Sequence, residues 1–321
     1  MKVRVKRLIK CVAFMAVLTV LLLTVSYMFA PKDNTKSSGI TNPNANGFFS
    51  EPENSIDVAI IGNSDAYSGF SPMELWKNYG ITSYVSAEGQ QMVSGAYSML
   101  SKIFTCQKPK VVILEVDGIF TKGDITKNAA HIVNSSLGSS FSIFQYHDRW
   151  KSVKAGEMFK KPVYTAHCVT KGQMLSNDIK GYMGGEYMRP TDKSAKIPVS
   201  SRASFNAFVK LCRDNNAELL LVSVPSQSSW GYEKHNAIQK LADDNGLKFI
   251  DLNIDRKSFG FDWHTDSRDK GNHLNNSGAR KVSMYIGNYL KDNYSIKDRR
   301  NDEKYSKWNK DYENYSRKVK I

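Results

Sequence analysis

Residues 58–72 read VAIIGNSDAYSGFSP, an apolar run that ends in a sharp Gly-Asn-Ser corner and continues into a small polar loop. The run that begins at Val58 is typical of a buried strand, and Pro72 opens a segment with helical apolar spacing. Ser64 therefore lies directly at the end of the first predicted strand. Taken alone, such a serine is an ordinary turn residue or helix cap, so its role depends on which other residues reach that strand end.

The same alternation of apolar runs and amphipathic segments continues through the chain. Strands are predicted at residues 56–61, 83–86, 110–120, 218–224 and 247–252. Helical periodicity is found at residues 72–79, 92–105, 202–215, 232–245 and 277–294. Continuously apolar strands between amphipathic helices indicate a parallel sheet that is covered on both faces. We therefore predict an α/β protein, a three-layer α/β/α sandwich, in which ligands bind beyond the carboxyl ends of the strands.

The first thirty residues differ from the rest of the chain. Five basic residues lie among the first ten, and residues 11–30 carry no charge. About 20 apolar residues suffice to cross a bilayer, and the positions before a cut after Ala30 lack the small-x-small cleavage pattern. We predict that residues 1–30 are a basic flank and an uncleaved single-pass anchor in the plasma membrane. The basic flank favours a cytoplasmic amino terminus and an extracellular folded domain.

Composition divides the remainder into three parts. Residues 31–54 are rich in Asn, Ser, Pro and Gly, which predicts a flexible linker. Residues 55–294 hold the predicted sandwich, interrupted at 121–200 by an insertion rich in Gly, Lys, His and Tyr that we expect to cover the carboxyl edge of the sheet. Residues 295–321 space their aromatic side chains by three and four, which predicts an amphipathic helical tail.

The positive net charge, from 45 basic and 31 acidic side chains, is spread along the chain. It does not form a basic stripe interleaved with aromatic residues, so we expect no nucleic-acid partner. A basic exported domain is better suited to anionic envelope polymers or lipid head groups. The three cysteines outside the predicted anchor show neither CxxC nor Cys/His metal spacing. We therefore expect no metal and no cofactor.

A nucleophilic serine requires a base, a group that orients the base, and donors for the oxyanion. His273 lies between the last predicted strand and the last helix of the sandwich, so it reaches the same edge of the sheet as Ser64. Asp269 and Asp266, four and seven residues before this histidine, are both candidates for the orienting carboxylate. In the insertion, the segment YHDRW at 146–150 supplies His147 and Arg149, which are candidates to bind substrate.

Two segments together resemble a known family. GNSDAYSGFSP at 62–72 and DKGNHLNNSGA at 269–279 are similar to the first and last sequence blocks of the SGNH hydrolases, also called the GDSL family. The resemblance implies that Ser64 is the nucleophile, that His273 is the general base and that Asp269 orients it, although the family spacing is one residue shorter.

The resemblance also bears on the oxyanion donors. The backbone N–H of Gly89 matches the donor of the second family block. The third block, Gly-x-Asn-Asp, is missing, and Glu115 and Asp117 stand in its place after the third strand. Because an ionised carboxylate only accepts hydrogen bonds, Asn63 becomes the candidate to replace the lost donor.

The YHDRW segment and the tail are similar to the membrane-anchored Gram-positive branch of that family, near polysaccharide O-acyltransferases and the D-alanylation protein of teichoic acid synthesis. This similarity implies a serine esterase or O-acyl(acetyl)transferase that acts outside the membrane on an acylated or acyl-accepting glycopolymer of the cell envelope. One span is too few to carry an acyl group across the membrane, so transfer implies a multi-span membrane acyltransferase as partner. The alternative is a non-catalytic glycan-binding or scaffold protein that uses Trp150, Arg149 and Tyr182.

Overall fold

The computed structural model describes residues 2–151 and 153–319. Within these residues, a five-stranded parallel sheet has the strand order β2–β1–β3–β4–β5. The strands are β1 (Val58–Gly62), β2 (Ser83–Ala87), β3 (Val111–Glu115), β4 (Glu218–Ser223) and β5 (Lys248–Asp251). Each predicted strand is present. The run predicted at 110–120 is shorter, because the chain turns into a 3₁₀-helix at Asp117–Phe120.

Helices cover both faces of the sheet. They are α1 (Lys2–Phe29), α2 (Ser64–Gly69), α3 (Pro72–Tyr79), α4 (Val93–Phe104), α5 (Ile125–Ser140), α6 (Ile143–Tyr146), α7 (Val199–Asp214), α8 (Tyr232–Asn245), α9 (Asn276–Asn293) and α10 (Ser306–Val319). The core under α4, α7 and α8 lies on one face, and the core under α2, α3 and α9 lies on the other. The predicted three-layer α/β/α sandwich is confirmed.

The two cores explain the continuously apolar strands. Along β1, Ala59 and Ile61 pack into one core, and Val58 and Ile60 pack into the other. Successive side chains of a strand point to opposite faces, so a strand that is buried on both faces needs an apolar residue at every position. All five residues of β1 are buried.

The topology fixes where a ligand can bind. The chain leaves β1 to form β2 on one side and then crosses back to form β3 on the other. This reversal opens a crevice beyond the carboxyl end of β1, the usual ligand position in open parallel sheets. The residues that directly follow β1, beginning with Asn63 and Ser64, therefore lie at this crevice.

Residues 31–54 differ from the predicted flexible linker. Phe48 is fully buried in the core, and the Tyr84 hydroxyl donates to the Asn44 carbonyl at 2.7 Å. The Ser86 hydroxyl donates to the Ala45 carbonyl at 2.9 Å. The small polar residues that suggested flexibility instead allow the segment to lie closely against β2.

Part of the segment 121–200 reaches the carboxyl edge of the sheet. Its residues after 176 run beside the loop that precedes α9: the Lys180 N–H donates to the Ser267 carbonyl at 2.9 Å, and the Tyr182 N–H donates to the Trp263 carbonyl at 3.0 Å. In return, the Lys270 N–H donates to the Lys180 carbonyl at 2.8 Å. These backbone bonds hold in place the loop that carries His273.

A buried group of charged side chains joins three distant segments. Lys171 is fully buried, and its ammonium donates to Glu51 Oε1 and to Asp311 Oδ2, both at 2.7 Å. His167 Nε2 donates to Asp311 Oδ1 at 2.9 Å. We call Glu51, His167, Lys171 and Asp311 the clasp, because they connect the 31–54 segment, the insertion and α10.

The amino-terminal helix α1 is apolar over most of its length. Among the described residues, Val3–Phe29 is the stretch that is long and apolar enough to cross a membrane. A signal sequence near the amino terminus has the same features. Its last turn contacts the insertion, since the Ser142 hydroxyl donates to the Ser26 carbonyl at 3.0 Å.

Candidate active site

Ser64 is positioned by a tight corner between β1 and α2. It is the first residue of α2, and the preceding Asn63 caps that helix by accepting from the Asp65 N–H at 2.8 Å. Gly62 makes the corner possible, because a Cβ at this position would lie 2.7 Å from Glu115 Cβ and 2.8 Å from Ala66 Cβ. Any larger residue would push the helix away from the end of β3.

His273 is held by Asp269 through two hydrogen bonds. Its Nδ1–H donates to Asp269 Oδ2 at 2.6 Å, and its backbone N–H donates to Asp269 Oδ1 at 2.6 Å. A carboxylate only accepts hydrogen bonds, so the ring proton lies on Nδ1 and Nε2 keeps a free lone pair. This tautomer is the one that a general base requires.

Ser64 and His273 line the same cleft beyond the carboxyl end of β1. The cleft has a volume of about 620 Å³. Ser64 is half-buried there, as is His273. The other lining residues are polar apart from one methionine: Asn63, Asp65, Gln90, Met92, Asp117, Thr121, Ser229 and Asn272. The fold thus brings together a serine and an oriented histidine that lie about two hundred residues apart in the chain.

Asp266, the other candidate for the orienting carboxylate, has a different role. It is fully buried and accepts from the Lys281 ammonium and from the Ser277 hydroxyl, each at 2.7 Å. It also accepts from the Asp262 N–H at 2.7 Å. These bonds hold the start of α9, and the carboxylate that contacts His273 is Asp269.

The two residues assigned to the oxyanion are placed less favourably. Gly89 is exposed and lies outside the Ser64 cleft, in an adjoining cavity, because the loop after β2 turns at Gln90, whose φ is +56°. Asn63 does line the cleft, but its amide nitrogen donates to Asp117 Oδ2 at 3.2 Å. The geometry therefore corrects the position expected for Gly89 and gives the Asn63 amide an acceptor within the protein.

Three carboxyl groups lie together beneath the cleft. Asp65, Glu115 and Asp117 form what we call the carboxyl cluster, and the Lys234 ammonium donates to Asp117 Oδ1 at 2.7 Å. Burial, with the charge of Asp117, raises the pKa of Asp65 to about 8. Burial, followed by the charges of Asp65 and Asp117, raises the pKa of Glu115 well above its ordinary value. Protonated forms of these two groups are favoured, and this keeps negative charge low beside Ser64.

Sequence reasoning identified Glu115 and Asp117 as the residues in the place of the third family block, but it missed two members of this arrangement. Asp65 could have been found, since it follows Ser64 directly. Lys234 carries no local signal, because it lies on α8 and reaches the cluster only through the packing of that helix on the sheet.

His147 and Arg149 do not lie at this cleft. The guanidinium of Arg149 donates to the Phe29 carbonyl at 2.8 Å, at the end of α1, and His147 is exposed beside Asp148. The structure thus corrects the placement that the sequence suggested: the helical turn containing these residues packs on α1 rather than over the carboxyl edge of the sheet. In residues 2–151 and 153–319, no group of three His, Cys, Asp or Glu is arranged to hold a metal ion.

No protein-family model matches the chain, and no curated protein is found as a relative. Among solved structures, the chain is similar to a psychrotrophic esterase from Pseudoalteromonas sp., with 13% identity and a TM-score of 0.39 over 74% of this chain and 97% of that one. It is also similar to a GDSL-like lipase from Bacteroides thetaiotaomicron, with 10% identity and a TM-score of 0.37 over 73% of this chain and 87% of that one.

Proposed function

We propose that this protein is a serine-dependent acyl-ester hydrolase or O-acyl(acetyl)transferase. The observation that carries the proposal is the Asp269–His273 pair, with Nδ1 protonated toward the carboxylate, in the same cleft as Ser64. An oriented imidazole in the same cleft as a serine at a strand end supplies the base that a hydroxyl nucleophile requires.

The reaction follows from these positions. Ser64 Oγ attacks the acyl carbonyl carbon while its proton passes to His273 Nε2, and a tetrahedral oxyanion forms. His273 then returns the proton to the leaving oxygen as the ester C–O bond breaks, which leaves the acyl group on Ser64. Water or a sugar hydroxyl releases the acyl group by the same proton route in reverse, giving hydrolysis or transfer. Asp269 stabilises the imidazolium that forms between these steps.

The carboxyl cluster affects the energy of the negatively charged oxyanion that forms in this reaction. A tetrahedral oxyanion beside three ionised carboxylates would be strongly disfavoured by Coulomb repulsion. The raised pKa values of Asp65 and Glu115 favour the protonated form of both groups. Asp117, the third carboxylate, receives a hydrogen bond from the Lys234 ammonium, which offsets its charge.

We also propose a specific substrate class and a cellular location. With α1 as a single-pass anchor and a cytoplasmic amino terminus, the domain acts outside the plasma membrane on an acylated or acyl-accepting polysaccharide of the cell envelope. The net charge of +14 supports an anionic environment of this kind. In a transfer reaction, a multi-span membrane acyltransferase is the partner that supplies the acyl group.

The alternative is a non-catalytic protein that binds glycan in the same cleft. One observation favours it: Gly89 lies outside the cleft, and the Asn63 amide donates one of its two N–H groups to Asp117, so the oxyanion donors at Ser64 are fewer than the resemblance implies. The two functions differ in whether Ser64 reacts covalently.

The test is turnover of a chromogenic acetyl ester by the full chain in a neutral detergent. We expect Ser64→Ala and His273→Ala each to lower kcat by roughly 10³-fold or more, because each removes a member of the catalytic unit. Ser258→Ala and His264→Ala are matched controls, since both residues are exposed and lie outside the cleft. A serine-directed phosphonate should label wild type and leave Ser64→Ala unlabelled.

Two results would contradict the enzymatic proposal. One is turnover that survives Ser64→Ala at the level of the controls. The other is a folded wild-type protein that shows neither turnover nor phosphonate labelling while it binds acetylated glycan fragments, which would establish the binding function.

A further inference from the structure

The Ser64 cleft continues into a second cavity. This cavity has a volume of about 530 Å³ and shares Gln90 and Met92 with the cleft as common walls. It runs along α4 as far as Lys102, beneath α5, where Asn128 and His131 line it. The Ser64 cleft and this cavity therefore adjoin.

The second cavity in turn meets a third one at the end of α1. The third cavity has a volume of about 250 Å³, and Lys102, Gln145 and Tyr146 line both. Its far wall includes Ser26 and Ala30, at the end of the apolar stretch of α1. Three adjoining cavities thus lie between the place where the chain would leave a membrane and the candidate nucleophile, and we call them together the groove.

Hydrogen bonds fix the mouth of the groove relative to α1. The Tyr27 hydroxyl donates to the Lys160 carbonyl at 3.0 Å, and the Val163 N–H donates to the Lys32 carbonyl at 2.8 Å. The Ile143 N–H donates to the Ser26 hydroxyl at 3.2 Å. Because these partners lie within a few residues of the end of α1, the mouth would lie at the membrane surface when α1 spans it.

The segment beside this mouth has the side chains of a membrane interface. Trp150, Phe159 and Val163 are 64%, 69% and 65% exposed. Four lysines lie among them, at positions 151, 154, 160 and 161. Exposed aromatic and apolar residues interspersed with lysines are typical of protein surfaces that contact lipid head groups. This surface would direct the mouth of the groove toward the bilayer.

A lysine lies at the middle of the groove. Lys102 lines both the second and the third cavities, and its ammonium lies 5.7 Å from the centroid of the Tyr146 ring. Burial lowers the pKa of Lys102, an effect that the charge of Glu88 opposes. In the described ranges this ammonium contacts a ring and forms no ion pair. Lys127 and Glu88 also line the second cavity. Two ammonium groups thus face one carboxylate, and the net positive charge of this section favours an anion.

We propose that the groove binds a membrane amphiphile with an anionic group. Its apolar chain occupies the cavity beside α1, its anionic group contacts Lys102, and an acyl ester on the part of the head group beyond the anion reaches Ser64. This inference rests on the proposed function, because only an acyl-ester reaction requires the ester to reach Ser64. A small soluble ester would need neither the cavities toward the membrane nor the half-buried cation among them.

The test uses the full chain with Ser64→Ala, reconstituted in phosphatidylcholine nanodiscs, so that binding is measured without turnover. The probe is lysophosphatidylglycerol with a photoreactive group on its chain, and the competitors are unlabelled lysophosphatidylglycerol, a monoacylglycerol of the same chain length, and glycerol 3-phosphate. We expect the anionic amphiphile to compete at least about tenfold better than either other compound, and peptide mapping to place the label within residues 91–105 or 138–146.

Charge variants locate the anionic contact. Added to the Ser64→Ala chain, Lys102→Gln should weaken competition by lysophosphatidylglycerol about tenfold, the loss of one charge-assisted contact, and Lys102→Arg should retain it. Lys240→Gln is the matched control, because Lys240 is an exposed lysine on α8 paired with Asp244.

Three outcomes would overturn the inference. The neutral monoacylglycerol competes as well as the anionic probe; Lys102→Gln behaves like Lys240→Gln; or glycerol 3-phosphate, which has no chain, competes as well as the amphiphile. A failure of the proposed function is seen separately, as chromogenic turnover that survives Ser64→Ala, and it does not alter the binding result.

Discussion

Two groups of buried ionisable side chains in this protein behave in opposite ways. The clasp pairs two carboxylates, Glu51 and Asp311, with the cations Lys171 and His167. The carboxyl cluster beneath Ser64 places three carboxyl groups near one ammonium, that of Lys234. Both groups are shielded from water, so the balance of charge, rather than burial, distinguishes them.

In the clasp, the balance favours the charged forms. Burial opposes ionisation of Glu51 and Asp311, but hydrogen bonds from His167 and the charge of Lys171 outweigh it and lower both pKa values. Hydrogen bonds to Asp311 and Glu51 raise the pKa of His167. The clasp therefore contributes stability that is lost as pH falls through the carboxylate pKa values and as it rises through that of His167.

In the carboxyl cluster, the excess of acid favours protons instead. Burial of Asp65 and Glu115, and the charges of neighbouring carboxylates that one ammonium does not compensate, raise the pKa values of these two groups. One oxygen of Glu115 is buried and has no hydrogen-bond partner within the described structure. A group of this kind is poorly suited to hold the fold together, and shifted pKa values of this type are frequent at functional sites. Charge balance therefore favours the ionised forms in the clasp and the protonated forms of Asp65 and Glu115 in the carboxyl cluster.

The largest effect that would sharpen this comparison is expected at Asp269. Asp269→Asn replaces an acceptor with an amide that can donate to Nδ1, so His273 loses the tautomer with a free Nε2. We expect kcat on the acetyl ester to fall by roughly 10²–10⁴-fold with little change in melting temperature. Asp266→Asn is the matched control. It should lower the melting temperature and change kcat little, because Asp266 binds Lys281 and Ser277. The reverse pattern would assign the orienting role to Asp266.

The next largest effect is expected in the clasp. Lys171→Met leaves Glu51 and Asp311 buried with only His167 as a cation, and we expect the free energy of unfolding to fall by about 3–5 kcal/mol. Activity per folded molecule should not change, because Lys171 lies outside the cleft. Unfolding in urea, followed by circular dichroism, measures the loss against Lys240→Met, an exposed lysine. Equal stability of the two variants would show that the clasp is not a stabilising element.

The smallest effect is expected in the carboxyl cluster, and it is a dependence of folding stability on pH. Native Asp65 has a pKa of about 8, whereas an aspartate in the unfolded chain has a pKa of about 3.9. The native state binds more protons between these values, so Asp65 lowers stability as pH rises across this window. Asp65→Asn should therefore stabilise the protein at pH 7 by on the order of 1–2 kcal/mol and have little effect near pH 4.

Melting temperatures measured from pH 4 to pH 8 test this expectation. Asp262→Asn serves as a control of opposite sign, because hydrogen bonds from His264 lower the pKa of Asp262. A native carboxylate with a lowered pKa gives stability at neutral pH that is lost as pH falls. If Asp65→Asn instead destabilised the protein at pH 7, Asp65 would be ionised in the native state and the contrast with the clasp would fail.

Much of this architecture was predictable because it is encoded locally. The strand at β1 and the helices at 72–79 and 232–245 follow from apolar periodicity within short windows, and the structure has those two helices with the same bounds. A parallel sheet brings the carboxyl ends of its strands to one edge, so the meeting of Ser64 and His273 at one cleft could also be anticipated. Composition misled at residues 31–54, where small polar residues allow close packing.

The sequence by itself determined the layered fold, the edge of the sheet at which chemistry can occur, and the serine and histidine that reach it, since spacing along the chain decides each of these. Only the tertiary structure decided that Asp269 rather than Asp266 contacts His273, that Lys234 accompanies the carboxyl cluster, and that adjoining cavities lie between the cleft and α1. These depend on contacts between residues far apart in sequence and on the exclusion of water, which sets the pKa of a buried group and leaves no trace in local spacing.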